Sequence, residues 1–307
     1  MHLKLFDLHC DTATELFQSN QSLKSNDEHV SLEKASVFQS YRQIMAIWSD
    51  NMLNDQAAFE RFLEISDFLH MELGQKELSF PLLTSGDTLA SCGAFLAVED
   101  ARILCGKSER LLTLYKRGVR FLTLVWGGES CIGGAHDTSI GLTPFGRQVV
   151  RDCFALGIIP DISHASLQTA EEVLALAKEY GKPVIASHSD SFSVCPHSRN
   201  LTDRQFLSVG ASGGIVGICL CPSHLARERD TASVGTVLKH IEHFYALGGE
   251  DILALGCDLD GTDLPNDFSS VADLVLIADE MSKRGYSDKQ IEKLFYKNAE
   301  NFVRKNI

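Results

Sequence analysis

Eight short, mostly apolar runs punctuate the 307-residue chain, and the stretches between them carry helical hydrophobic spacing. The runs fall at residues 3–11, 42–48, 93–99, 119–126, 158–164, 183–188, 214–219 and 252–258. Runs of this length suit buried strands, although periodicity alone does not separate a buried strand from a buried helical segment. The intervening residues argue for strands. Phe59, Phe62, Leu63, Ile65, Phe68 and Leu69 share one face of a helix read over 54–73. Thr143 before Pro144 marks a helix start, since proline is tolerated at the first helical position, and Gly157 is placed to end that helix. Further helices read over 108–116, 167–180, from 202 or 203 onward, 233–247, 271–284 and 288–304. Such alternation, with no Pro/Ser-rich linker and no internal repeat, predicts a single α/β domain over residues 1–307. Its form would be a TIM-type (β/α)8 barrel with extra C-terminal helices. A doubly wound open sheet is the alternative, but no Gly-x-Gly-x-x-Gly follows the first run. The polar segment 18–36 reads as an exposed excursion, and 127–141 as a glycine-rich loop.

The net charge of −13 argues against nucleic acid or anionic membrane surfaces as partners. No apolar run reaches the length of a membrane-spanning helix. The N-terminus lacks a basic region followed by an apolar core of signal-peptide length. Nine cysteines at irregular spacing, with no Cys-x-x-Cys pair, read as reduced thiols of a cytoplasmic protein; Cys219 and Cys221 would share a face of one strand.

Ligand-type residues stand at the ends of the runs: His9 and Asp11, Glu99, His164, His188 and Asp258. The C-terminal ends of barrel strands are where active sites lie. Residues two apart on a strand point the same way, so His9 and Asp11 would project together. Each residue has a plain structural role open to it, as a helix cap or a hydrogen-bonded side chain. Five strands ending this way are hard to obtain from capping alone. A catalytic zinc takes about three protein ligands. His9, Asp11, Glu99, His164 and His188 are too many for one ion and suit two, with Glu99 as the natural bridge. Two ions roughly 3.5 Å apart would hold a hydroxide between them at neutral pH. Asp258, left over, would be the acid/base that takes its proton and passes it to the leaving group; Asp260, two residues on, is the competing candidate. Zn²⁺ suits the His-plus-carboxylate set, and Mn²⁺ or Co²⁺ could occupy it.

The chain resembles the renal/membrane dipeptidase family of binuclear zinc peptidases, in its bacterial branch, within the amidohydrolase-like metal-dependent barrels. The matching motifs run in family order over nearly the whole chain: Asp7-Leu8-His9-Cys10-Asp11, Val98-Glu99, Gly141-Leu142-Thr143-Pro144-Phe145-Gly146, Asp161-Ile162-Ser163-His164, Ser187-His188-Ser189, Arg199-Asn200, Asp258-Leu259-Asp260-Gly261 and the closing Asn298 to Phe302. The resemblance implies His9, Asp11 and Glu99 on one zinc and Glu99, His164 and His188 on the other. It also implies Asp258 as the acid/base, Arg199 as the anchor for the substrate carboxylate, and a free dipeptide as substrate, with a D-residue at its C-terminal position within range. A homodimer is left open as the assembly.

One position departs from the mammalian members. Where they carry His in Thr-Leu-Thr-His, this chain has Thr123-Leu124-Val125-Trp126, which makes Trp126 a substrate-binding candidate with only an indole N–H to donate. Arg199 lies on the loop leaving the His188 run, where a planar guanidinium can grip a carboxylate with two parallel hydrogen bonds. Its plain alternative is a surface ion pair with an acid such as Asp203. Rival activities are a deacetylase or lactonase of the same barrel class, or an inactive ligand-binding barrel. Many of the former bridge their metals through a carbamylated Lys on strand four, and 120–125 contains none; the inactive barrel should have lost a ligand, and none is missing.

Overall fold

A computed structural model describes residues 3–86 and 90–307. Seven parallel strands form one curled sheet: β1 (Lys4–Cys10), β2 (Ser40–Trp48), β3 (Gly93–Glu99), β4 (Val119–Thr123), β5 (Ile159–Asp161), β6 (Val216–Ile218) and β7 (Leu253–Leu255). Their order is β5-β4-β3-β2-β1-β7-β6. The outermost strands are joined through residues 183–188, by single bridges from Asp161 to Ile185 and from Ala186 to Val216. The ring is therefore the (β/α)8 barrel expected from the sequence.

The sixth apolar run does not become a regular strand, for a physical reason. Pro183 has no N–H to give a ladder. Farther along, Ser187 N donates to Asp161 Oδ1 at 2.9 Å and His188 N donates to Ser163 Oγ at 3.1 Å. Side chains have taken the hydrogen bonds that a neighbouring strand would otherwise make. Other runs also stop short of their expected ends: β4 at Thr123 rather than 126, β5 at Asp161 rather than 164, β7 at Leu255 rather than 258. His164, Asp258 and Asp260 have φ of 67°, 58° and 67°, a left-handed backbone that no strand accommodates.

Alternation along the strands sorts the apolar side chains into two cores. Phe6, Leu8, Ile44, Ala46, Phe95, Ala97, Phe121, Ile159, Ile185 and Ala254 fill the barrel. The opposite parity, including Leu5, Met45, Ile47, Leu96, Val98 and Leu122, packs on the surrounding helices. Phe6 stacks on Phe95 at 5.9 Å, and Phe121 meets Phe95 edge-on at 6.2 Å. Tyr296, Ala299, Phe302 and Val303, from the helices that end the chain, join the inner core. Asn298 Nδ2 ties these helices to the barrel through Glu250 O and Leu253 O, both at 2.8 Å.

The expected helices form with the expected caps. Thr143 Oγ1 accepts from Gly146 N at 2.9 Å, and Gly157 closes the helix Pro144–Leu156 in a left-handed conformation. The segment 20–33 is less exposed than its polarity suggested: Leu23 and Val30 are buried, and Leu23 N donates to Glu72 Oε1 at 2.8 Å. No helix among the described residues is long and apolar enough to cross a membrane. All nine cysteines carry free thiols.

Candidate metal centre

By simple alternation His9 and Asp11 would follow Asp7 to the outside of β1. They do not. Asp7 pairs with Gln43, but Cys10 pairs with Met45, so β1 carries one extra residue between these points. This bulge sends Cys10 outward into the helix-facing core and turns His9 and Asp11 to the barrel mouth. His9 Nε2 then lies 3.5 Å from Asp11 Oδ2, 3.7 Å from Glu99 Oε2 and 3.8 Å from Asp258 Oδ1. Asp7 holds the bulge, accepting from His9 N at 3.1 Å, Gln43 Nε2 at 2.8 Å and Cys257 N at 2.9 Å.

Glu99 ends β3 on the inner parity of Phe95 and Ala97, so it needs no special device. Its two oxygens face different partners. Oε2 faces His9, whereas Oε1 lies 2.9 Å from His164 Nε2 and 3.5 Å from His188 Nε2. The structure thus brings together all five residues singled out as ligands.

The tautomers of the two later histidines follow from their outer partners. His164 Nδ1 contacts only an acceptor, Trp126 O, at 3.0 Å, and must donate to it. Ser187 Oγ gives its proton to Asp161 Oδ2 at 2.5 Å and so accepts from His188 Nδ1 at 2.8 Å. Both Nε2 atoms consequently bring lone pairs to the site, only 2.9 Å apart. Two lone pairs at that distance repel unless a cation lies between or beside them. Asp161 is itself pinned by Thr123 Oγ1 at 2.7 Å and Ser163 N at 2.9 Å. Sequence reading assigned Asp161 and Ser187 no part; the available signal was a carboxylate inside an otherwise apolar strand.

Charge balance points the same way. Burial drives the pKa of both His164 and His188 well below the ordinary value. At His9 burial also favours the neutral ring, but the Glu99 and Asp11 carboxylates outweigh it and leave the pKa well above the ordinary value. Asp11 is pushed up to about 6, by burial and then by the Glu99 charge. Asp258 is pushed up to about 8 by burial, with Asp11 and Glu99 adding to the rise. His9 Nε2 and Asp11 Oδ1 are buried with no hydrogen-bond partner among the described residues. Carboxylates crowded round one imidazole, beside two imidazole lone pairs, are what divalent cations satisfy in place of a proton, and the imidazole–carboxylate set fits them.

Asp258 and Asp260 do not share a face, because β7 has ended and the backbone is left-handed at both. Asp258 turns to His9. The Asp260 carboxylate is taken up by Thr12 Oγ1 at 2.6 Å and by His29 N, so it fastens segment 20–33 to the barrel mouth. Arg199 is buried and lines the same cleft, of about 310 Å³. Its Nη2 makes one long bond to His188 O at 3.4 Å, and its Nε has no partner. The surface pair with Asp203 is not formed: Asp203 Oδ1 bonds His243 Nε2 at 2.7 Å and Ser193 Oγ at 2.9 Å. Trp126 also lines the cleft, its ring 5.9 Å from that of His164 and 5.3 Å from that of Trp48.

Residues 1–305 match the family described as Membrane dipeptidase (Peptidase family M19). A protein of Klebsiella pneumoniae, known as an uncharacterized protein in the pqqA 5′ region, is 31% identical over 213 residues, covering 66% of this chain and 77% of that one. Among solved structures, the metallopeptidase dipeptidase AC superposes with a TM-score of 0.90 at 23% identity, covering 100% of this chain and 99% of that one. A Rhodobacter sphaeroides metallopeptidase, liganded with a phosphinate mimic of the dipeptide L-Ala-D-Ala, does so with a TM-score of 0.89 at 23% identity, each chain covered in full at 100%. Five converging ligand-type residues on this barrel, together with a family match along almost its entire length, establish that the chain belongs to the membrane dipeptidase family and is a metal-dependent dipeptidase.

Proposed function

We propose that the centre holds two divalent cations, Zn²⁺ foremost, with His9 and Asp11 on one, His164 and His188 on the other, and Glu99 shared. The observation that carries this is the division of the Glu99 carboxylate, one oxygen toward His9 and the other toward His164 and His188. When bound, such a pair supplies an acidified water as nucleophile and polarises the scissile carbonyl. The chain's own residues do the rest. Asp258, on the rim of the His9–Asp11 position and able to hold a proton near neutral pH, takes the nucleophile's proton and passes it to the leaving amine. Asp161 and Ser187 hold the His188 ring in the ligating tautomer, and Trp126 O does the same for His164.

The cleft is dipolar, which suits a short zwitterion. Asp11, Glu15 and Asp260 line it together with the Arg199 guanidinium, while burial lowers the pKa of His136 to about 4 and that of His197 below the ordinary value, so both rings are neutral near pH 7. Arg199 grips the substrate's carboxylate, and the acidic residues receive its ammonium group. The only amide bond of a free dipeptide then lies between these anchors, over the metal ligands. Trp126 and Trp48 offer an aromatic wall to a substrate side chain. The R. sphaeroides protein carries a mimic of L-Ala-D-Ala; an anchor that holds only the carboxylate leaves the configuration next to it unread, so we extend acceptance of a C-terminal D-residue to this chain.

The test is to strip the protein, titrate it with Zn²⁺ and count bound metal by elemental analysis while assaying dipeptides with L and D C-terminal residues. Two ions per chain, with turnover returning as the second binds, is the expected result. Full turnover at one ion per chain, or with none, refutes the shared-carboxylate reading.

A further inference from the structure

A second buried group of ligand-type side chains lies beside this centre and takes no part in the scheme above. Cys219 follows β6, His224 sits on the short turn Pro222–Leu225, and Asp190 follows His188 by two residues. Candidate ligand atoms of the three lie within 4.8 Å of one another, with Cys219 Sγ 3.7 Å from His224 Nδ1. Asp190 and Cys219 are 0% exposed and His224 is 8% exposed. Neither carboxylate oxygen of Asp190 has a well-aligned hydrogen-bond partner among the described residues; burial raises its pKa well above the ordinary value, which the Cys219 backbone N–H and the Arg199 charge only partly offset. A buried carboxyl group so placed either keeps its proton or binds a cation. The neighbours frame the site: Asn200 Nδ2 fixes the turn through His224 O at 2.8 Å, and Cys221 N donates to Cys219 Sγ at 3.4 Å, while burial and the Asp258 and Asp190 carboxylates keep the thiol protonated until a metal displaces the proton. Cys221 and His224 line the active-site cleft, which gives an ion a way in.

We propose that Asp190, Cys219 and His224 form a third cation site, selective for a thiophilic divalent ion such as Zn²⁺ or Cd²⁺ over Mg²⁺ or Ca²⁺. One thiolate, one imidazole and one carboxylate make a borderline-soft donor set, unlike the all-nitrogen-and-oxygen set of the catalytic pair. On binding, the Cys219 thiol and the Asp190 carboxyl group release their protons to solvent as the metal–sulfur and metal–oxygen bonds form. That thiol also points at Asp258, with Sγ 3.8 Å from Oδ2. Binding replaces this contact with a cation beside Asp258. If Asp258 is the proton carrier proposed above, occupancy of the third site inhibits; that consequence rests on the earlier reading, whereas the site itself does not.

The experiment uses the metal-loaded enzyme titrated with Cd²⁺. Cadmium bound to sulfur gives an ultraviolet charge-transfer band. Cadmium exchanging into the catalytic pair, which has no sulfur ligand, gives none. One equivalent of band-forming Cd²⁺ per chain is expected in the wild type and in Cys221→Ser, with no band in Cys219→Ser. His224→Gln and Asp190→Asn should each weaken the band-forming affinity by more than about 100-fold, beyond the roughly 10–100-fold that loss of an outer partner costs. A band that survives in Cys219→Ser, or its absence from the wild type, overturns the site. So does unchanged Cd²⁺ affinity in Asp190→Asn accompanied by a raised KM, because Asp190 is then only a counter-charge for Arg199. Turnover should fall as the band grows in the wild type; a full band with full turnover refutes the coupling through Asp258.

Discussion

Replacing Arg199 by Ala tests whether a buried cation serves the substrate or the fold. Its guanidinium makes one bond of 3.4 Å to His188 O and leaves Nε unsatisfied. Beyond this the folded protein gains only its attraction to the nearby Asp190 and Asp258 carboxyl groups, against the cost of burying the charge. Thermal stability of Arg199→Ala should change little, unlike the loss expected from cutting a structural arginine such as Arg102. That residue bonds the carbonyls of Leu53, Ser49 and Asp50 at 2.8, 3.1 and 2.8 Å. The whole effect should fall on substrate. Removing one partner of a buried, hydrogen-bonded charge pair costs about 2–5 kcal/mol. At about 1.4 kcal/mol per factor of ten, that is roughly a 30- to 4,000-fold loss in kcat/KM. Because a carboxylate anchor acts on ground and transition states alike, most of the loss should appear in KM. Arg199→Lys keeps the charge but not the two-pronged geometry and should recover part of it. Steady-state assays of a free dipeptide and its C-terminal amide complete the comparison: the wild type should favour the free acid by a similar factor, and the variant should not discriminate. Equal rates on acid and amide by the wild type, or a destabilised variant with normal KM, would refute the anchor.

The other expectations concern the metals, the proton and pH. Glu99→Gln should lose both ions and His188→Ala mainly one, as counted by elemental analysis; retention of two ions and normal turnover in Glu99→Gln would leave that carboxylate a merely structural role. Asp258→Asn should keep its metals and lose about 10²–10⁴ in kcat. Asp260→Asn should instead loosen segment 20–33 and show its main effect in proteolysis or melting, and a severe kcat defect there would move the proton-carrying role to Asp260. Ser187→Ala frees the His188 ring and should weaken metal affinity by about 10–100-fold, read from competition with a chelator; unchanged affinity would show that the ring is held by packing alone. In metal-free protein above about pH 7, His164 and His188 are neutral both folded and unfolded, since burial lowers their folded pKa. His9 and Asp258 are both raised on folding, the latter to about 8, so the folded state holds protons that the unfolded chain has released. Stability must then fall from about pH 7 to about pH 8, and Asp258→Asn should flatten part of the decline in Tm; a Tm that climbs over that interval contradicts the assignment.

Much of this molecule was legible in one dimension because it depends on local rules. Short apolar runs alternating with helical faces imply a barrel, and the Thr143–Pro144 start and Gly157 stop needed only backbone chemistry. Glu99 was readable for the same reason: it continues the inner parity of its own strand. His9 and Asp11 do reach the barrel mouth together, but not by simple alternation, which along β1 would have turned them outward. The bulge that redirects them is set by pairing with β2, which a sequence does not display. The separation of Asp258 from Asp260, the breaking of the sixth strand and the burial of Arg199 were likewise decided in three dimensions. In each case a side chain or backbone group found a partner distant in sequence: Thr12 and His29 for Asp260, Asp161 for Ser187, the barrel mouth for Arg199. Residue types and spacing carry the fold and the ligand inventory, because strand parity and helix faces are properties of neighbours. Tautomers, carboxylate sharing and which acid is left free to move a proton arise from contacts across the barrel, and only the closed tertiary structure brings those atoms together.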